Sequence, residues 1–351
     1  MLRLKPDTSV YDQITNQDEF KEALWQYLNR RVSDLRIITG KQRIKEMMPL
    51  LTRIEHDYGV DRYLMMSLWG NESSFGDVVD NPKYMRPVIP ALAALAFGER
   101  RRRKYWEAEL LNALVIVERG WGTPKTMIGS WAGAMGHTQW MPEVWLRMGV
   151  DYDKDGRIDP FGKPDDAFAG TARYLVERGN YHRGEPWGCE VTLPQGMSAN
   201  PAPRRTYAQW ADMGVHRADG AAFASSRALM RLKTPVRGGP SFLVGQNFSA
   251  VLSYNPAFAY ALAVCHLADR IAGGGDFVRK FPGAEPRIPT VAEVKEIQTR
   301  LTGMGFDTGG ADGRVGRDTM RAVRAFQAKV NMKPADGYPG LAVLARLRKG
   351  S

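Results

Sequence analysis

The sequence predicts a mainly α fold, with small β accessory elements and a separate three-helix domain at the C-terminal end. Three observations carry this expectation. Apolar residues recur at helical spacing through most of the 351 residues. Residues 184 to 246 are richer in Pro and Gly and contain strand-like pieces such as "CEVTLP". Finally, "GGGDFVRKFPGAEPRIPT" is dense in Gly and Pro, lies between two helical segments and reads as a linker. The expected domains are residues 1–285 and 286–351.

Taken in order, residues 18 to 60 read as helices, with Leu24, Tyr27 and Leu28 on one face. "GVDRYLMMSLWGNES" is the clearest helix. Asp61 is its N-cap, and Val60, Leu64, Met65, Leu68 and Trp69 form its apolar face. Glu72 comes three residues after Trp69 and four after Leu68, so it points to the same side. "IPALAALAFGERRRRKYWEAELLNALVIVERG" gives two more helices, "DDAFAGTARYLVERG" another, and a further one surrounds Tyr260. In the tail, "VAEVKEIQTRLTGMGF", "RDTMRAVRAFQAKVNM" and "LAVLARLRK" are the three helices of a small basic unit.

Composition bounds the function. Apolar residues are 44% and charged residues 25%, which describes a folded globular protein. A net charge of +11 draws the chain to anionic polymers: nucleic acid, anionic lipid or cell wall. No apolar run is long enough to span a bilayer. The opening "MLRLKPDTSVYDQ" lacks the apolar centre of an export signal, so the protein is cytoplasmic or its export segment is missing from this chain. Two cysteines, Cys189 and Cys265, are too few for a disulfide framework or a zinc site, and buried free thiols are the expectation. Walker loops, H-E-x-x-H and Ser-elbow motifs are absent, and five histidines make His-based catalysis a poor expectation.

Three segments carry chemistry. In "LWGNESSFGD", Glu72 sits between an apolar run and a turn. Apolar neighbours Trp69, Leu68 and Phe75 would raise its pKa as a general acid requires, and Ser73 and Ser74 can donate hydrogen bonds. Taken alone, an exposed helix-end glutamate is the commoner case. In "GSWAGAMGHTQWMP", three glycines permit close backbone approach or positive φ. Ser130 and Gln139, with the faces of Trp131 and Trp140, suit a neutral sugar; a tightly packed helix pair is an equal alternative. His137 has no evident acidic partner. In "DYDKDGRIDPFGKPDD", Asp151, Asp153 and Asp155 with Gly156 have calcium-loop spacing, and Arg157 would ligate by its carbonyl. Asp159 adds an acid. The twelfth position is Gly162, so Asp165 or Asp166 must close the loop. An acidic turn held by side-chain-to-backbone bonds is the alternative. "GERRRRKYW" reads as a solvated helix face with no nucleic-acid module beside it.

The order of "WGNESSFG", "GSWAGAMGHTQWMP", the Asp-rich loop, "DDAFAGTARYL" and "NFSAVLSYNPAFAYALAV" resembles the membrane-bound lytic murein transglycosylase B family over residues 18 to 285. The tail's "VKEIQTRLTGMGF", "ADGRVGRDTMRAVRAFQ" and "DGYPG" resemble the type 1 peptidoglycan-binding domain. The resemblance implies a lysozyme-like helical catalytic domain. It also implies cleavage of the β-1,4 bond between N-acetylmuramic acid and N-acetylglucosamine, leaving 1,6-anhydromuramic ends. It makes Glu72 the single acid and base, and Ser130, Gln139, Tyr174, Tyr254, Asn255 and Tyr260 substrate-binding residues. No cofactor is implied for the chemistry; a structural Ca2+ is an option for residues 151–166, held by Asp151, Asp153, Asp155, Arg157, Asp159 and Asp166. The implied partners are peptidoglycan glycan strands, with other cell-wall enzymes as an option, no nucleic acid and a monomeric state. The implied location is the periplasm, with an outer-membrane anchor an option for a full-length precursor. The chain departs from the family pattern at Glu143, Arg173, Pro256 and Ala257. A hydrolytic muramidase and a non-catalytic peptidoglycan scaffold are the competing readings.

Overall fold

The computed structural model describes residues 4–15, 22–197 and 203–350. Its first part runs α1 (Val10–Thr15), α2 (Leu24–Arg31), α3 (Asp34–Tyr58), α4 (Arg62–Ser73), β1 (Arg86–Pro87), α5 (Val88–Gly98), α6 (Arg103–Glu118), β2 (Ile128–Gly129), α7 (Pro142–Met148) and α8 (Pro164–Glu177). There follow β3 (Gly188–Thr192), α9 (Tyr207–Asp212), β4 (His216–Arg217), β5 (Arg231–Lys233), β6 (Ser241–Val244), α10 (Gln246–Tyr254) and α11 (Phe258–Ile271). The tail contributes α12 (Val291–Gly303), α13 (Arg317–Lys329) and α14 (Leu341–Arg348). The mainly helical expectation holds. Of the helix expected from residue 18, residues 18–21 lie outside the described residues.

The chain divides into two compact units. The first comprises residues up to 20, 42–186 and 246–257. Its core is the α5–α6 hairpin. The sequence "VIPALAALAF" is apolar on all sides, and α5 is accordingly buried over most of its length. It packs with Trp106, Trp140 and Trp145. Helix α4 is the second core element. Asp61 caps it as its sequence predicts, its carboxylate accepting from Leu64 N at 2.9 Å, which contributes about 1 kcal/mol. Leu64, Met65, Leu68 and Trp69 are all buried. A helix this enclosed holds its last turn, and so Glu72, in a fixed position.

The second unit comprises residues 21–41, 187–245 and 258–351. Its sheet is antiparallel, in the order β4-β3-β6-β5. Cys189 and Val191 alternate inward on β3, and the sheet closes over Trp210, Met230 and Leu243. Cys189 and Cys265 are free and buried, as expected. The Gly/Pro-rich stretch has no helix or strand, yet it is tied down within this unit. Phe277 stacks on His266 with ring centroids 3.8 Å apart. Glu190 accepts from Val278 N and Arg279 N, and Glu285 from Leu341 N and Ala342 N, the free amides that open α14. The three tail helices form a core on Ile297, Val323, Phe326 and Leu344. Gln298 and Gln327 are buried and hold two Asp-Gly turns in the same way. Each accepts from the glycine nitrogen at 2.8 Å and donates to the aspartate carboxylate. Tyr338 meets Trp25 edge-on at 4.9 Å and receives a bond from Asn29, so the tail packs against α2. No single helix among the described residues is long and apolar enough to cross a membrane.

Candidate active site

The first unit gathers three of the segments singled out in the sequence. Glu72 lies in the last turn of α4 and is partly exposed. Directly after it, Ser74, Phe75 and Gly76 all take left-handed φ values of 54°, 61° and 89°. Two consecutive non-glycine residues in that region are costly, and such strain persists only where packing over-determines it. Here the hook turns Phe75 back so that it is buried edge-on against Trp69, 6.0 Å away. Ser73 does not serve Glu72 as the sequence reading allowed. Its hydroxyl donates to Trp69 O and accepts from Gly76 N, closing the hook. Ser74 is the C-cap, its backbone N–H on Trp69 O.

Trp69 donates its indole N–H to His137 Nδ1 at 3.1 Å, and His137 Nε2 donates to Gly162 O at 2.9 Å. Because an indole can only donate, the imidazole is the neutral Nε2–H tautomer. Burial pushes its pKa below its ordinary value, against the bond to Gly162. His137, which had no visible partner in the sequence, therefore braces the helix carrying Glu72 against the Asp-rich loop. The unfolded chain takes up this proton below about pH 6.5 and the folded chain resists it, so stability is lost as pH falls through that range. The thermal midpoint should drop between about pH 7 and pH 5, and the slope should be shallower in His137→Gln than in wild type.

The Gly-rich segment is a β-ribbon, not a helix pair. β2 pairs antiparallel with β1, and Met135 bridges both Gly129 and Trp140. The glycines are required sterically. A Cβ on Gly129 would lie 2.3 Å from Ala134 O, and Gly136, at φ 72°, would place one 2.3 Å from Pro160 O. Ser130 Oγ accepts from Ala134 N, leaving its own proton without an acceptor among the described residues. Gln139 sits at φ 54° and donates to Gly136 O, leaving its amide oxygen similarly available. Behind the ribbon, Trp140 donates to Thr171 Oγ1, and Thr171 to Thr138 Oγ1, both at 2.9 Å. These threonines were not singled out in the sequence; isolated hydroxyls give no periodic signal.

Tyr254 closes the site from α10. Its hydroxyl donates to Thr138 O. Burial pushes its pKa well up, and the nearby Glu72 charge pushes it further, so the phenol stays neutral. Tyr174 on α8 packs edge-on against it at 5.2 Å and donates to Ser253 O. Asn255 is exposed and its carboxamide oxygen accepts from Ala257 N, fixing the turn before α11. Tyr260 lies on α11, in the second unit, and is buried at 4% exposure. The unusual Glu143 is bidentate with Arg178 and also meets Arg147, while Arg173 pairs with Glu177. These departures form surface ion pairs.

In the Asp-rich loop, Asp151, Asp153 and Asp155 bring one oxygen each within 4.8 Å of one another. Their carboxylates also accept from Asp155 N, Gly156 N and Arg157 N. Asp159 and Asp166 stand outside that cluster. Asp159 accepts from Phe161 N. Asp166 is buried, and both its oxygens are taken, by Tyr152 N at 2.7 Å and Asp159 N at 2.9 Å. Burial raises its pKa against those bonds. Asp166 thus shapes the loop from behind. Three converging carboxylates of spacing Asp-x-Asp-x-Asp-Gly remain a donor set that fits a hard oxygen-seeking cation.

One buried helix delivers a single carboxylate to the unit that also holds a glycine-rich β-ribbon and two tyrosines, which agrees with the lysozyme-like helical domain that the resemblance implies. The chain belongs to the transglycosylase SLT domain family, whose model matches residues 1–269. A peptidoglycan binding domain model matches residues 290–347. Membrane-bound lytic murein transglycosylase B of Escherichia coli is 29% identical over 228 residues, which is 63% of this chain and 60% of that relative. SltB3 of Pseudomonas aeruginosa, solved in complex with NAG-anhNAM-pentapeptide, is 39% identical. That alignment covers 99% of this chain and 92% of the other at a TM-score of 0.75. The Escherichia coli lytic transglycosylase Slt35, solved in complex with calcium, is 25% identical over 77% of this chain and 84% of its own, with a TM-score of 0.63.

Proposed function

We propose that the protein is a lytic transglycosylase of the cell envelope. In this reading it cleaves the MurNAc-β-1,4-GlcNAc bond of peptidoglycan and leaves 1,6-anhydro-MurNAc ends. The observation that carries the proposal is the position of Glu72: partly exposed, at the end of a rigid buried helix, within electrostatic reach of a tyrosine that stays neutral. Protonated Glu72 gives its proton to the bridging oxygen. The muramic N-acetyl group assists from within the substrate, so a second carboxylate is not needed. The Glu72 carboxylate then takes the proton of the muramic 6-hydroxyl, and the ring closes without water. The hydroxyl of Ser130 and the amide oxygen of Gln139 are assigned to sugar hydroxyl and N-acetyl groups. Tyr174, Tyr254 and Asn255 are assigned to the sugar as well. Residues 286–351 are assigned to wall binding, and the periplasm is the corresponding location.

Mass analysis of products released from purified sacculi tests the reaction. Anhydro-muropeptides are expected; products carrying an added water would instead establish a muramidase, and binding without products a scaffold.

We assign a structural Ca2+ to Asp151, Asp153 and Asp155 with the Arg157 carbonyl, shaped by Asp166. The ion would offset two of the three carboxylate charges and stiffen the loop that ends on Gly162. Ca2+ at millimolar concentration should raise the thermal midpoint by a few degrees, and Asp153→Asn should remove that response. An equal response in the variant would overturn the assignment.

A further inference from the structure

By sequence, "GERRRRKYW" reads as a solvated helix face. The structure places this run at the tip of the α5–α6 hairpin of the first unit, beside exposed apolar side chains. Phe97 ends α5 and is 79% exposed. On α6, Leu111 and Leu114 are 62% and 46% exposed. They continue the face of Lys104, Glu107 and Ala108 at helical spacing. Among the five consecutive cations, Arg103 pairs with Glu107 at 3.0 Å. Arg102 lies over the rings of Tyr105 and Trp106. Arg100, Arg101 and Lys104 are exposed and make no ion pair among the described residues, although the charge of Arg101 acts on Glu99. Glu99 spends its carboxylate on Arg101 N, Arg102 N and the Trp106 indole.

Local physics does not explain this arrangement. Cations crowd the N-terminus of α6, where the helix dipole disfavours them, and no acid stands in its first turn. A phenylalanine left 79% exposed beside them gains nothing from water. Features that break a local rule without a local gain are where a function is to be sought. A soluble polyanion would satisfy the charges and leave Phe97 in water. A bilayer bearing anionic lipid satisfies both, with phosphates for the cations and an acyl boundary for the ring.

We propose that the α5–α6 tip is a peripheral membrane-binding element that docks on anionic phospholipid, with Phe97 entering the interface and Arg100, Arg101 and Lys104 meeting the headgroups. Its partner is the lipid surface itself.

The test uses the full chain with phosphatidylcholine vesicles, with and without phosphatidylglycerol. Co-sedimentation should require phosphatidylglycerol and weaken with salt. Each cation near an anionic leaflet strengthens binding roughly fivefold. The triple variant Arg100→Glu, Arg101→Glu, Lys104→Glu should therefore bind at least about a hundredfold more weakly, with an unchanged circular dichroism spectrum. Because Cys189 and Cys265 are buried, Phe97→Cys can be labelled selectively with an environment-sensitive dye. Its emission should shift to the blue on phosphatidylglycerol vesicles and stay unchanged on heparin. Equal vesicle binding by the triple variant overturns the proposal. So does charge-dependent binding without a shift at position 97, which would mark the tip as a general polyanion or wall contact.

Discussion

Glu72→Gln should lower release of anhydro-muropeptides from sacculi by on the order of a thousandfold or more. A positioned acid–base contributes roughly a hundred- to ten-thousandfold to a proton-transfer step, and here the same side chain is assigned both proton transfers. The amide keeps the shape of the side chain but can neither give the proton to the glycosidic oxygen nor take one from the 6-hydroxyl. Sacculus binding should be retained, because the assigned wall-binding residues 286–351 lie in the other compact unit. Release by the variant at a rate near wild type would remove Glu72 from the chemistry. Glu72→Asp is a useful companion. It retains the carboxyl but withdraws it by one methylene, and should fall between the two.

The second large effect is expected at Trp69. Its ring is buried against Phe75, His137 and Phe168, and its N–H is the donor that fixes the His137 tautomer. Trp69→Ala should destabilise the first unit by about 3–5 kcal/mol from the cavity alone. The midpoint of its thermal transition should fall on the order of ten degrees. Activity should fall further than the folded fraction does, because the left-handed hook loses the wall that holds Phe75. Trp69→Phe separates the two roles. It keeps most of the volume, loses the hydrogen bond and leaves a buried imidazole nitrogen unmet, which costs about 1–3 kcal/mol. A Trp69→Phe enzyme as stable as wild type would show that the relay to His137 holds nothing in place.

Much of the architecture was legible because it follows from periodicity and caps. The apolar spacing around Leu64, Met65 and Leu68 with Asp61 in front of it produces α4, and the three tail helices fall where their apolar stripes end at Gly and Pro. Positions that depend on one atom meeting another across the fold were not legible. His137 carries no local sign of Trp69 or Gly162, which are 68 and 25 residues away in the chain. Asp166 reads as a closing ligand by spacing, yet burial at the start of α8 directs both its oxygens to backbone N–H groups. Ser73 looked like a donor to Glu72 because it is adjacent, but the hook needs its hydroxyl more.

The brace from Trp69 through His137 ends on a backbone carbonyl at Gly162, not on a side chain. Its two ends therefore differ in tolerance to substitution. At 162 the contact itself would survive a change of residue, so comparison of related sequences at that site would register little constraint on the brace. At 137 nearly every exchange removes the ring that spans the gap. A designer grafting a different cation loop into this scaffold can vary residues 153–157 while keeping Ile158, which packs on the core and accepts from the Trp145 indole at its carbonyl. The backbone course at 162 is the part to preserve.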